Sequence, residues 1–275
     1  FTVNYTFTDI NGCVDSEDLT IEVVDPSTSD GGADVELCES DEVSQLVANS
    51  PSGAWSSVEY AINTDGSFIP DTPGVYNVTF STGAGSCLSE DQVVLEIYDL
   101  PIVEAGTELN ICEGDSVQMD GSAIGGELPY TSYNWSPALG ITDVTDPYTF
   151  VSPASTTNYI LEVIDSNMCS GEDNVNINVL GSPLVEAGAD LILCNQPIPE
   201  VLTGYSPLPA LGETGSWSGD NVTPDGIYTP SGVANNTLYY TYTNVTGCSS
   251  LDSILVSVVD PIQADAGDDI ELCLN

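Results

Sequence analysis

Neither lysine, arginine nor histidine occurs anywhere in these 275 residues, against 43 aspartates and glutamates. Ordinary usage places on the order of 30 basic residues in a chain of this length. With no side-chain cation to neutralise phosphates, nucleic acid is excluded as a partner, and an anionic membrane surface repels the chain. No salt bridge between side chains can form. The carboxylates are therefore solvated, spread along an elongated body, or met by cations from the medium. Without His or Lys there is no histidine-dependent nucleophile and no Schiff base; a carboxylate pair of the glycosidase type is the remaining catalytic option. Trypsin-type cleavage sites are absent as well. The sequence shows no apolar stretch long enough to span a membrane, no signal peptide and no lipidation motif. It has no sustained 3.6-residue apolar period either, so almost no helix is expected. Because Phe1 to Phe7 already alternate as a strand, the chain reads as a piece of a longer protein whose export and anchoring signals lie elsewhere.

What is present is a repeat. Eight cysteines fall in pairs spaced 25 residues apart, at 13 and 38, 87 and 112, 169 and 194, and 248 and 273; the intervals between pairs are 49, 57 and 54. Around each pair an alternating strand follows a turn cysteine (Cys13, Cys87, Cys169, Cys248). A short apolar strand then ends in a first-strand cysteine (Cys38, Cys112, Cys194, Cys273). The fixed spacing divides the chain into 1–25, the tail of a repeat; whole repeats at 26–99, 100–180 and 181–259; and 260–275, the start of another. With 41% hydrophobic residues in strict alternation, folded β-structure is expected rather than the disorder that high charge otherwise favours. Short strands separated by Gly, Pro, Asn and Asp predict an all-β chain of tandem immunoglobulin-like sandwiches in an elongated rod. One tryptophan per whole repeat (Trp55, Trp135, Trp217) stands 17, 23 and 23 residues after the first-strand cysteine, where a core residue of the third strand falls.

Particular motifs carry a resemblance: Ala-Gly-x-Asp-x-x-Leu-Cys at Ala187–Cys194 and Ala266–Cys273, Trp-Ser-Pro-Ala-Leu-Gly at Trp135–Gly140, and Asn-Gly-Cys or Thr-Gly-Cys ahead of an acidic, alternating strand. These resemble the PKD-like and immunoglobulin-like tandem repeats of Bacteroidetes surface proteins, in style the giant gliding-motility adhesins of the SprB type exported by the type IX secretion system. The resemblance covers the whole chain. It implies a non-enzymatic structural and adhesive segment on the outer-membrane exterior. Its implied partners are outer-membrane motility or secretion machinery, and an external surface or polysaccharide reached through other parts of the protein, with no membrane insertion of its own. Related repeats also space or target secreted polysaccharide-degrading enzymes, which is the second reading. The first repeat departs from the pattern: Gly31-Gly32 replaces Ala-Gly, and Ser86-Cys87 lacks the preceding Gly, so its final hairpin is expected to turn differently.

Eight regularly placed cysteines with no CxxC point to disulfides in an oxidising, extracellular place. Two schemes are open. Pairing within repeats (Cys38–Cys87, Cys112–Cys169, Cys194–Cys248) closes loops of about 50 residues, contributing about 4 kcal/mol each by chain-entropy arithmetic. Pairing between repeats (Cys38–Cys169, Cys112–Cys248) follows if the last hairpin turn and the end of the first strand lie at opposite ends of a domain, and would stiffen the rod. The acids are equally open. Glu17, Asp91, Asp173 and Asp252 stand four residues after a turn cysteine, and Asp34, Glu108, Asp190 and Asp269 four before a first-strand cysteine. No cofactor is required. A Ca²⁺ site, which needs six to eight oxygens, draws on Asp25, Asp30, Asp91, Asp99, Asp173 and Asp260; the alternative is a solvated acidic surface. The tryptophans and tyrosines are either sugar-stacking platforms or core, and alternation favours core. Ser116 and Ser253, in Asp-Ser-aliphatic contexts, resemble the sites that Bacteroidetes O-glycosylate.

Overall fold

The alternating apolar residues form twenty-two β-strands, and the one helical segment among the described residues is a 3-10 turn at Gly85–Cys87. The computed structural model describes residues 1–23, 28–262, 264, 265 and 267. Strands β1 (Thr2–Thr8) and β2 (Val14–Thr20) make a hairpin on their own. Its apolar residues Val3, Tyr5, Phe7 and Leu19 are exposed. The first repeat runs through β3 (Val35–Cys38), β4 (Ser44–Gln45), β5 (Ala54–Ser56), β6 (Ser67–Phe68), β7 (Gly74–Thr82) and β8 (Ser89–Tyr98). The second contains β9 (Pro101–Glu104), β10 (Leu109–Cys112), β11 (Val117–Gln118), β12 (Ser122–Gly125), β13 (Ser132–Ser136), β14 (Phe150–Val151), β15 (Thr157–Ile164) and β16 (Ser170–Leu180). The third is β17 (Leu191–Cys194), β18 (Glu200–Val201), β19 (Thr214–Ser218), β20 (Ile227–Tyr228), β21 (Ala234–Thr243) and β22 (Ser249–Val259).

Each repeat is an immunoglobulin-like sandwich with one plan. A four-stranded sheet, ordered β3-β8-β7-β5, β10-β16-β15-β13 or β17-β22-β21-β19, faces a two-stranded one, β4-β6, β11-β14 or β18-β20. The second repeat adds the pair β9-β12, which the sequence pattern did not suggest. In each four-stranded sheet the last two strands are an antiparallel hairpin, while the short first strand lies parallel to the last. The registers are equivalent: Cys38 lies opposite Tyr98, Cys112 opposite Leu180, and Cys194 opposite Val259.

Three separate cores result, because a strand with period two buries alternate residues. Val78, Phe80, Val93 and Leu95 build the first with Trp55; Tyr159, Leu161, Val175 and Ile177 the second with Trp135; Leu238, Tyr240, Ile254 and Val256 the third with Trp217. The tryptophans are 4%, 1% and 3% exposed, so all three are core residues. Each pairs across the sheet with a bulky partner, Phe80, Leu161 or Tyr240. The molecule exposes 17675 Å², whereas a compact protein of its mass exposes about 11,000 Å². An extended array of small domains explains the excess.

Asp65-Gly66 and Asp225-Gly226 close equivalent turns that begin at Asn63 and Thr223 in the first and third repeats, with the glycines at φ +89° and +86°. A Cβ at Gly226 would stand 2.9 Å from Trp217 Cδ1, and one at Gly66 2.7 Å from Trp55 Cδ1. Gly226→Ala therefore combines a left-handed backbone penalty of about 1–2 kcal/mol with overpacking of about 1–3 kcal/mol. Urea unfolding should show a lower midpoint with an unchanged slope; an unaltered midpoint would mean the turn is not packed on the indole.

Candidate functional site: the stapled junctions

The turn cysteines are positioned by local hydrogen bonding. Asp165 Oδ1 accepts the amides of Asn167 and Cys169 at 2.9 Å each, and Asn244 Oδ1 those of Thr246 and Cys248 at 3.0 Å. Asp9 does the same for Asn11 and Cys13. This Asx residue four before the cysteine is the short-range turn chemistry such side chains provide. The residue ahead of the cysteine is left-handed in each: Gly12, Met168 and Gly247. In the first repeat Gly83 occupies the Asx position, and the hairpin closes through the 3-10 turn instead. Its missing Gly and altered turn have this physical basis.

The first-strand cysteines are positioned by the parallel pairing. Cys112 lies beside Leu180, at the exit end of β16, whereas Cys169 precedes the other end of that strand. Eleven strand residues separate the two, about 36 Å at ~3.3 Å per residue. A disulfide cannot cross such a distance. The within-repeat pairings Cys38–Cys87, Cys112–Cys169 and Cys194–Cys248 are not formed. Instead Cys38 is bonded to Cys169 and Cys112 to Cys248, each with Cα atoms 5.5 Å apart. Each bond joins the first strand of one repeat to the last hairpin turn of the next. Cys169 and Cys248 are fully buried, and Cys248 Sγ lies 3.8 Å from the carbonyl oxygen of Leu180 where the chain crosses between repeats. Cys13, Cys87 and Cys194 are thiols, and Cys273 lies outside the described residues.

Beside the first staple is a hollow of about 260 Å³ between repeats, lined by Gly74, Glu96, Tyr98 and Asp99 on one side and Gly126, Glu127 and Asn167 on the other. Desolvation, and then the neighbouring carboxylates Glu36 and Glu96, hold the Tyr98 phenol above its ordinary value.

The periodic acids serve a purpose that the sequence alone did not disclose. Asp91, Asp173 and Asp252 each accept, at 2.8 Å, the backbone amide of Gly31, Ala105 or Ala187. Those are the first residues of the Gly-Gly or Ala-Gly pairs, and the following glycines turn the chain at φ +91°, +94° and +100°. Gly31 is glycine because a Cβ there would meet Val93 Cγ2 at 2.8 Å. The second set extends the parallel ladder: Asp34 Oδ1 accepts Val94 N–H and Asp190 Oδ1 accepts Leu255 N–H, both at 2.8 Å. The longer Glu108 reaches the Asn178 side chain instead. Asp30 accepts from Gly32 and Asn49, and Asp260 from Asn195; Asp99 lines the hollow. Asp25 lies outside the described residues, as does Asp269. Among the described residues no three acidic or thiol groups converge where a metal ion could be held. The calcium candidates are thus dispersed, and most of them face backbone or amide donors. Ser116 is exposed in the loop before β11; Ser253 is exposed on β22 opposite Tyr239.

No protein-family model matches the chain, and no curated protein matches it in sequence. Solved structures resemble it in fold. The N-terminal eight Ig domains of Down syndrome cell adhesion molecule align at TM-score 0.41 and 13% identity, over 94% of this chain and 43% of that one. The titin I-band fragment I67–I69 aligns at TM-score 0.34 and 10% identity, over 84% and 96%. The insect immune protein hemolin gives 0.32 and 14%, over 93% and 76%. This chain spans less than half of the first of these. At such identities the likeness is to the tandem immunoglobulin-like arrangement alone.

Two measurements check the junction. A non-reducing peptide map after acid-directed cleavage should recover Cys38 linked to Cys169 and Cys112 to Cys248; a Cys112–Cys169 peptide would refute the parallel-strand geometry. The amides of Ala187 and Ser253 hold the Asp252 carboxyl below its ordinary value of 3.8. Its contribution is present above that value and lost as pH falls through the lower folded one. As pH falls below about 4, Asp252→Asn should therefore flatten the wild-type loss of stability. Relief of general acidic repulsion is shared by both chains and cancels in the difference.

Proposed function

We propose that this chain is a load-bearing rod segment of a long cell-surface adhesive filament, of the gliding-motility type exported by the type IX secretion system. Motility or secretion machinery at the outer membrane holds one end, and an external surface or polysaccharide is contacted through other parts of the protein. One observation carries the reading: consecutive repeats are joined covalently by a disulfide as well as by the backbone. A binding array needs only flexible spacing, whereas a second covalent link at each junction restricts bending and twisting. Disulfides of this kind also belong to an oxidising, extracellular setting, and among the described residues no helix is long and apolar enough to cross a membrane.

The aromatic distribution supports the rod over the polysaccharide-targeting array. Sugar platforms require a row of exposed rings on one face. In the whole repeats the large exposed aromatics are Tyr148 and Phe150 in the second and Tyr239 in the third, at non-equivalent places, while Tyr159, Tyr228, Tyr240 and Tyr242 are buried. Negative charge without cations keeps neighbouring filaments apart, and the missing Lys and Arg deny trypsin-like proteases a site. Calcium, where present, acts as a diffuse counterion to the solvated carboxylates.

The test is an in-frame deletion of the three repeats from the parent protein in its own cells, with surface display checked by antibody. Attachment to a surface or cell movement over it should be weakened while display persists. Unchanged attachment and movement, together with loss of polysaccharide degradation or binding, would favour the enzyme-spacer reading.

A further inference from the structure

We infer that the disulfides route tension around the domain cores, along two interleaved covalent tracks, each carried across one junction by one disulfide. The inference rests on the load-bearing reading and adds where the load travels. One track passes through β3 to Cys38, crosses to Cys169, and continues through β16 and the junction into β17, ending at Cys194. The other leaves Cys87 through β8, passes the junction into β10, crosses from Cys112 to Cys248 and continues through β22. Each track takes one 25-residue interval per step, and one step traverses two repeats.

Two features make these the paths that bear force. First, they have little slack: of the 25 residues from Cys169 to Cys194, an 11-residue strand and a four-residue strand are extended. Second, the tracks lie side by side. In every repeat the parallel pair contains one strand of each: β3 with β8, β10 with β16, β17 with β22. Pulling thus tensions each strand end to end and does not peel one from the other. Residues 39–86, 113–168 and 195–247, which contain the tryptophans, lie between cysteines and outside the tracks. With a staple absent, tension must instead pass through them.

The experiment is force spectroscopy on the full chain with thiol-independent handles at Thr28 and Leu184, both exposed. In the oxidised chain the covalent route is ten residues to Cys38 and fifteen beyond Cys169, about 90 Å when taut. Reduced, it is the full 156 residues, about 550 Å. Oxidised molecules should stiffen smoothly at about one sixth of the reduced extension with no unfolding steps, and reduction or Cys38→Ser should restore stepwise release to nearly the full length. An oxidised endpoint near one third would reveal within-repeat bonds and overturn the inference, as would stepwise core unfolding in molecules whose Cys38–Cys169 bond is verified by mapping. Circular dichroism of Cys38→Ser separates a lost staple from a lost fold. Because the measurement reads only the covalent route, it can fail while the deletion experiment succeeds, and the reverse.

Discussion

The parallel pairing of first and last strand is the constraint on which the rest depends. The last strand begins at the turn cysteine and runs the length of the sandwich, so a short strand lying parallel at its far end must carry its cysteine to the opposite pole. Ile111 and Val179 face one another, and Cys112 is left beside Leu180 at the exit. Every repeat therefore presents a turn cysteine at one pole and a first-strand cysteine at the other. Repetition alone then brings unlike cysteines of neighbouring repeats together. An antiparallel first strand would have reversed the poles and closed each domain on itself.

The absence of cations changes what acidic residues can do inside this plan. A carboxylate in an ordinary protein is often met by Arg or Lys; here the donors are backbone amides, Asn side chains and hydroxyls such as those of Ser67 and Thr145. Asp91, Asp173 and Asp252 satisfy an amide where the linker crosses the sheet, and Asp34 and Asp190 add one bond to a parallel ladder only four residues long. Charge-assisted bonds of this type are stronger than neutral ones, so β3 is secured at its beginning by Asp34 and at its end by the Cys38–Cys169 disulfide. The same residues add to the repulsion among 43 negative charges, a cost reduced by stringing the domains out.

Much of this was legible in the sequence. Alternation such as Tyr159, Leu161, Val163 against Val175, Ile177 is a direct statement of burial, and the spacing of Trp55, Trp135 and Trp217 located the third strand. The disulfide pairing remained open because it depends on strand direction, and Val-Glu-Leu-Cys reads the same whether it runs parallel or antiparallel to its neighbour. Asp91, Asp173 and Asp252 were visible as a period, yet their partners are amides of Gly31, Ala105 and Ala187, which carry no side-chain signal. The pair β9-β12 was hidden for a related reason: Ser122 to Gly125 are small or polar residues except Ile124, which is exposed. The altered first hairpin was signalled by the loss of Gly before Cys87; its cause is the replacement of the Asx residue by Gly83.

The contrast between constant and variable intervals follows from the same geometry. A 25-residue interval contains a last strand, a junction and a first strand, and in each of 13–38, 87–112 and 169–194 one end is fixed by a disulfide to a neighbouring repeat. Adding one residue within its strands would turn alternate side chains to the wrong face, and adding one at the junction would move a first-strand cysteine relative to the turn it must meet. The intervals of 49, 57 and 54 residues begin and end in cysteines too, but what lies between is a folded core whose loops reach solvent. The second repeat uses its longer interval to hold β12 against β9. Length is therefore free where the chain is folded back on itself and fixed where it runs from one repeat into the next beside a staple, as a chain that passes tension along those segments requires.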